Sequence, residues 1–196
     1  EDVAEIAELV NKIVYCWRQS ATNKKRRLSI NLATAFFVPK PFTPFQWERQ
    51  TSPEEYLRRV HLLQSCLTAR GVDYRYHESD LSRLEAVLAR GDRRLSKVLL
   101  RAHALGCKLD GWDEYFRYDL WMQAFSDCGV DPEFYTTRGF AEDEILPWQT
   151  IDIGVSRDFF LRERALAYQS VTTPDCRTKC AGCGARSLSE RGVCDE

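Results

Sequence analysis

A chain of 196 residues with 44% apolar and 29% charged residues is long enough to bury its own core and needs no cysteine staples to hold it. Its 28 Lys and Arg against 29 Asp and Glu leave a formal charge of −1, which excludes a global field for nucleic acid or an anionic membrane and leaves only local patches. No apolar run approaches the length of a membrane-spanning helix. Residues 1–8 are acidic with helical spacing, and read as a helix rather than a secretory signal. The first residue is not Met, and the chain reads as processed or as a piece of something longer.

The first element reads as an amphipathic helix, with Val3, Ile6, Val10, Ile13 and Trp17 at three- and four-residue steps. Lys24, Lys25, Arg26 and Arg27 follow as a basic run, read either as a solvated loop or as a contact for phosphate or an acidic partner. Residues 28–38 form the clearest strand. Ile30, Leu32, Thr34, Phe36 and Val38 share one face, and the small Asn31, Ala33 and Ala35 share the other. A helix leading into such a strand suggests the end of an α/β repeat with a parallel sheet. The large face is expected on helices. The small face leaves room either for a ligand or for a large neighbour.

Pro39, Pro41 and Pro44 then forbid both helix and inner strand, so residues 39–47 form an extended loop carrying Phe42, Phe45, Trp47 and Lys40. Loops at the ends of parallel strands are where α/β folds place ligands. Packing over the loop's own domain is the competing reading.

Ser52-Pro53-Glu54-Glu55 combines an N-cap, a proline at the first helical position and a capping-box Glu. That helix should carry Tyr56, Val60, Leu63 and Leu67 inward and stop at Gly71. Residues 72–77 alternate like a short strand, and a helix follows over residues 80–89. Asp92 is placed to cap the next, with Leu95, Val98, Leu99 and Ala102 as core and its end by Gly106. Helical pattern returns over residues 113–127, with Trp112, Phe116, Leu120 and Trp121 as core. Asp131-Pro132 starts a turn, Leu146-Pro147-Trp148 marks a boundary, and Ser156 caps a last helix to about Tyr168. The fold class is mainly α with one or two strands.

The eight cysteines divide unevenly. Cys16, Cys66, Cys107 and Cys128 stand apart and read as buried thiols packing as small hydrophobes. Cys176, Cys180, Cys183 and Cys194 share the last 21 residues. Without a secretory signal, a reducing, cytoplasmic compartment fits, where clustered thiols point to metal. The two-residue gap between Cys180 and Cys183 lets a tight turn aim both sulfurs one way, and Gly184 frees the backbone beneath them. The open readings are a [4Fe-4S] cluster, zinc, or a frayed terminus with no ordered metal.

Elsewhere the chemistry is thin. His61, His77 and His103 pair with no nucleophile at a telling spacing. Asp92-Arg93-Arg94 would suit a phosphate at a helix start, although a charged helix start is commoner. No Walker or dinucleotide glycine pattern occurs.

Several stretches together resemble a family. They are residues 30–47 (INLATAFFVPKPFTPFQW), Arg90-Gly-Asp-Arg-Arg94, Gly111-Trp112 with Trp121, Leu146-Pro-Trp148 leading to Ile151-Asp-Ile-Gly154, Thr172-Thr-Pro-Asp-Cys176, and Cys180-x-x-Cys183-Gly184. In this order they resemble the C-terminal third of radical S-adenosylmethionine iron–sulfur proteins, in the group whose N-terminal half is similar to a cobalamin-binding domain. The resemblance implies that residues 1–50 are the terminal helix and strand of a partial, TIM-like (β/α) barrel with its exit loop. It implies a helical extension over residues 51–145 and a C-terminal segment over 146–196. It places Asn31, Ala33, Pro39 and Lys40 beside S-adenosylmethionine and substrate, and an accessory metal at Cys176, Cys180, Cys183 and Cys194. The C-x3-C-x2-C spacing is also that of the family's catalytic cluster, but that motif precedes most of its barrel, and only 13 residues follow Cys183. The family's further cysteine near Arg186 is absent.

On this reading the chain lacks the first barrel repeats and the cluster that holds S-adenosylmethionine, so it generates no radical alone. Its partners would be the missing N-terminal barrel and cobalamin-binding-like domain, and the barrel strand would show an open edge. The alternative is a non-enzymatic helical interaction module with a structural zinc. A third reading is RNA binding through the basic run, Arg93, Arg94 and the C-terminal arginines.

Overall fold

The computed structural model describes residues 2–23 and 26–185. The described chain is mainly helical, with six α-helices and two short parallel strands. It divides into two units, residues 1–37 with 51–84 and residues 38–50 with 85–196.

The first unit is built from α1 (Asp2–Ser20), β1 (Ile30–Thr34), α2 (Pro53–Cys66) and β2 (Val72–Tyr76). Strand, helix and strand follow one another, and β1 pairs with β2 in parallel, Ile30 opposite Val72 through Thr34 opposite Tyr76. His77 N donates to Thr34 O and closes the ladder. The strand is shorter than its apolar run, because β2 ends at Tyr76 and residues 35–38 continue without it. The two faces of β1 separate as their side chains predict. Ile30, Leu32 and Thr34 are half-buried, while Asn31, Ala33 and Ala35 are exposed.

Burial in this unit comes from α1 on α2 and from an aromatic cluster under the sheet. Phe36 stacks on Tyr56 at 4.2 Å between centroids, and Tyr56 Oη donates to His77 O. Burial, with Tyr74 beside it, pushes the Tyr56 phenol up to about 12. Ser52 Oγ accepts from Glu55 N and Pro53 opens α2, as the sequence predicts. Tyr56, Val60 and Leu63 are its buried face. The helix ends at Cys66 rather than near Gly71, since residues 67–71 must turn back into β2. On α1 the buried residues are Ala7, Val10 and Val14. Ile13, expected inside, is 44% exposed, because the helical period there favours Val14.

The division falls inside α3 (Ser79–Arg90). The second unit continues with α4 (Leu95–Leu105), α5 (Tyr118–Asp127), a 3₁₀ turn at Pro132–Phe134 and α6 (Arg157–Tyr168). α4 packs on α5, and the buried residues are Leu95, Val98 and Ala102 on α4 and Trp121, Ala124 and Phe125 on α5. Gly106 ends α4 with φ 105°, a left-handed cap that glycine adopts without penalty. Ser156 Oγ accepts from Phe159 N at the start of α6.

Four expectations are corrected. Asp92 does not cap α4. Its carboxylate instead takes Arg94 N and the Arg94 guanidinium, and Arg94 stands at the N-cap with no side-chain bond to the helix backbone. Leu99 is 46% exposed, one position off the buried stripe of Leu95, Val98 and Ala102. α5 begins only at Tyr118, and Trp112, in the turns before it, is 62% exposed. Of the scattered cysteines only Cys107 is buried, while Cys66 and Cys128 are half-buried and Cys16 is exposed. Burial, with Asp110 nearby, pushes the Cys107 thiol up.

Candidate metal-binding turn and the proline-rich loop

The proline-rich loop is covered by its own unit. Trp47 is 1% exposed and packs with Phe140, Leu146, Trp148 and Phe160. Gln46, itself buried, organises the loop with one amide oxygen. That Oε1 accepts from Phe42 N at 3.2 Å and from Trp148 Nε1 at 2.7 Å. The loop backbone is tied outward as well, since Phe140 N donates to Trp47 O and Gln50 N to Thr136 O. Gly139 lies close beneath, where a Cβ would stand 3.2 Å from Trp47 O. A cavity of about 220 Å³ remains between Phe42, Trp47, Trp148 and Phe160, with Asp152 and Arg157 also lining it.

Arg90 fastens the same loop from α3. It is fully buried, donates from Nη1 to Glu48 O, and lies 4.6 Å above the Phe140 ring. Arg138 lies 4.7 Å from that ring. Burial, then repulsion from Arg138, brings the Arg90 guanidinium down to about 10, against the pull of Glu48. Glu48 is gripped in turn by Arg164, at 2.6 Å. Nothing periodic in the sequence announces Gln46 or Arg90. Gln46 and Trp148 are 102 residues apart, and the early signals are the stretch 30–47, which ends in Gln46-Trp47, and the Arg90-Gly-Asp-Arg-Arg94 run.

The residues expected beside a cofactor fall as follows. Asn31 and Ala33 share the exposed face of β1 with Asp73 and Arg75 of β2, their register partners. Pro39 is fully buried in the loop, and Lys40 is exposed with its ammonium engaged by Glu85. Thr43 Oγ1 donates to Lys40 O, so the loop turns directly after it.

The cysteine segment is more specific. Gly182 N donates to Cys180 Sγ at 3.4 Å, and Ala185 N to Cys183 Sγ at 3.5 Å. Each thiol is therefore met by the amide two residues on, with Gly182 at φ 65° and Gly184 at φ 97° making the turns. Backbone donors aimed at sulfur stabilise negative charge there, which a thiolate ligand needs. The turn is docked on the start of α6. Ser156 N donates to Cys183 O at 2.8 Å, and the Arg162 guanidinium bonds Ala181 O. A Cβ on Gly184 would lie 2.9 Å from Gly154 O, so glycine permits this approach.

Cys176 and Cys180 are exposed and Cys183 is half-buried. Asp175 sits before Cys176 and holds Arg177 at 2.6 Å. Among the described residues no group of three His, Cys, Asp or Glu side chains converges as a metal would require, and Cys194 lies outside them. The donor chemistry suits zinc or an iron–sulfur centre. What is assembled is one two-cysteine turn, with Cys176 four residues before it.

Among the described residues no helix is long and apolar enough to cross a membrane. No family model, curated protein or solved structure matches the chain.

Proposed function

We propose that this chain is the C-terminal part of a radical S-adenosylmethionine iron–sulfur enzyme, in which it covers the barrel and carries an accessory thiolate-bound metal. On this reading β1 is the last strand of a partial (β/α) barrel, and residues 39–47 are its exit loop. The observation that carries the proposal is the paired N–H···S geometry at Cys180 and Cys183, on a turn fixed to the start of α6. A solvated tail needs neither feature. Supporting it, stretches of the resemblance meet in space. The 39–47 loop touches Trp148 through Gln46, Arg90 bonds the backbone of Glu48, and the Cys180–Gly184 turn lies against Gly154.

Cys180 and Cys183 would hold a metal here, with Cys176 and Cys194 completing the set. Bound by four thiolates, it would make a rigid crosslink of net negative charge. Arg162, already bonded to the turn, offsets part of that charge. The chain's own residues do the rest: Ser156 and Gly154 seat the turn, and Gly182 and Gly184 shape it.

The test is anaerobic reconstitution with iron and sulfide, followed by absorption spectra and metal analysis, beside a Cys176→Ser, Cys180→Ser, Cys183→Ser variant. The proposal expects broad absorption near about 400 nm, typical of thiolate-bound iron–sulfur centres, that disappears in the variant. Tight, colourless zinc in the native chain alone would favour a structural cap on a helical interaction module. Neither metal in either form would refute a site at this turn.

A further inference from the structure

The first unit holds a cleft of about 560 Å³ whose lining is dominated by Arg18, Arg26, Arg27 and Arg70, with Trp17 half-buried among them. These arginines come from three separate places. Arg18 is in the last turn of α1, Arg26 and Arg27 lead into β1, and Arg70 lies between α2 and β2. Their convergence is built by Gly71. It has φ 85°, and a Cβ there would stand 2.5 Å from Leu28 O. Ile30 N donates to Gly71 O at 2.8 Å and locks the two segments together. Only glycine allows so close an approach in that conformation.

None of the four guanidiniums forms an ion pair among the described residues, whereas many of the chain's other arginines do. Arg58 and Arg59 share Glu55, Arg75 pairs with Asp73, Arg94 with Asp92, and Arg138 with Glu144. The acids of α1, Asp2, Glu5 and Glu8, all lie in its N-terminal half, away from Arg18. The α1 C-terminus contributes about half a negative charge, far less than four whole positive ones. Grouping unpaired cations costs self-repulsion that an anion relieves.

We propose that this cleft binds the phosphodiester backbone of single-stranded nucleic acid, with arginines on phosphates and Trp17 offering a face to a base or sugar. Guanidinium forks match phosphate oxygens two at a time. Four of them spread around a cleft this size fit successive phosphates better than one isolated ion. A half-buried aromatic beside a basic track is the pattern of sequence-tolerant strand binding.

The experiment is fluorescence anisotropy of the whole chain with a labelled 12-nucleotide single strand, as RNA and as DNA, between 50 and 200 mM KCl. Four phosphate contacts predict a slope near about −3 in log K against log salt, or roughly a 50-fold loss over that range. The variant R18Q/R26Q/R27Q/R70Q should lose at least about tenfold at low salt and flatten the slope. The variant R58Q/R59Q/R75Q, which removes paired arginines, should bind as the parent does. Trp17→Leu should weaken binding and keep the slope. Circular dichroism on every variant separates lost binding from lost fold. Equal loss in both arginine sets would overturn the proposal, as would absence of strand binding. Saturable binding of pyrophosphate without strand binding would overturn it in favour of a small-phosphate site.

Discussion

Two tryptophans in one cluster differ in a single polar contact, and the same substitution at each should give different results. Trp148 Nε1 donates to Gln46 Oε1 at 2.7 Å, whereas Trp47 Nε1 is buried with no partner among the described residues. Trp→Phe removes one ring at either site and costs about 1–2 kcal/mol in packing. At Trp47 it also removes an unsatisfied buried N–H, which returns about 1 kcal/mol or more. At Trp148 it breaks a hydrogen bond worth about 0.5–1.5 kcal/mol, although Gln46 Oε1 keeps Phe42 N. Trp47→Phe should therefore cost under about 1 kcal/mol and Trp148→Phe about 2–3 kcal/mol. Urea unfolding followed by far-ultraviolet circular dichroism measures both without relying on the mutated fluorophore. Its slope should stay constant between variants. A larger loss at Trp47 than at Trp148 would refute the assignment of the hydrogen bond. Trp47→Ala, at about 3–5 kcal/mol, sets the scale for losing the whole side chain.

Asp92 is held down to about 2 by hydrogen bonds from the Arg94 guanidinium, and then by Arg94 N and Tyr135 Oη. Its folded value lies below its unfolded one, so its contribution is complete above about pH 4 and is lost as pH falls toward about 2. That contribution is at most about 2–3 kcal/mol, less after solvent screening. Asp92→Asn should flatten that part of the stability–pH curve, and an unchanged acid limb in urea titrations would contradict it. Gly71→Ala should destabilise by about 2 kcal/mol or more, because a left-handed φ and a backbone clash coincide there. A melting temperature equal to the parent's would show that the Leu28 contact is not tight. Ser52→Ala should cost about 1 kcal/mol by freeing Glu55 N, read as faster amide exchange at the start of α2. Unchanged exchange there would remove the cap from the account.

Elements governed by neighbours in sequence were legible. The start of α2 was written in Ser52 and Pro53, although the Glu55 carboxylate goes to Arg58 and Arg59 instead of closing a capping box, and the glycine stop of α4 was written in Gly106. The division of β1 into a larger and a smaller face followed from side-chain size, although the small face, read as room for a ligand or a large neighbour, is exposed. Long-range choices were not legible. Trp112 looks like core by hydropathy, but turns before Tyr118 leave it outside the helix. Asp92 resembles a cap, yet the Arg94 fork competes for its oxygens. The aromatic loop invited a ligand reading because Trp148 and Phe140, which cover it, lie about a hundred residues later. The spacing of Cys180 and Cys183 pointed to the turn, while its seat on Ser156 required the fold.

X-ray absorption on the anaerobically loaded whole chain decides whether thiolates at the C-terminal turn hold a metal. Sulfur should be the nearest scatterer, at about 2.3 Å for zinc. With iron, the iron–iron scattering of a cluster should be added. Both signals should be lost in the Cys176→Ser, Cys180→Ser, Cys183→Ser variant. A metal surrounded by oxygen and nitrogen alone, unchanged by that variant, would refute a thiolate site at this turn.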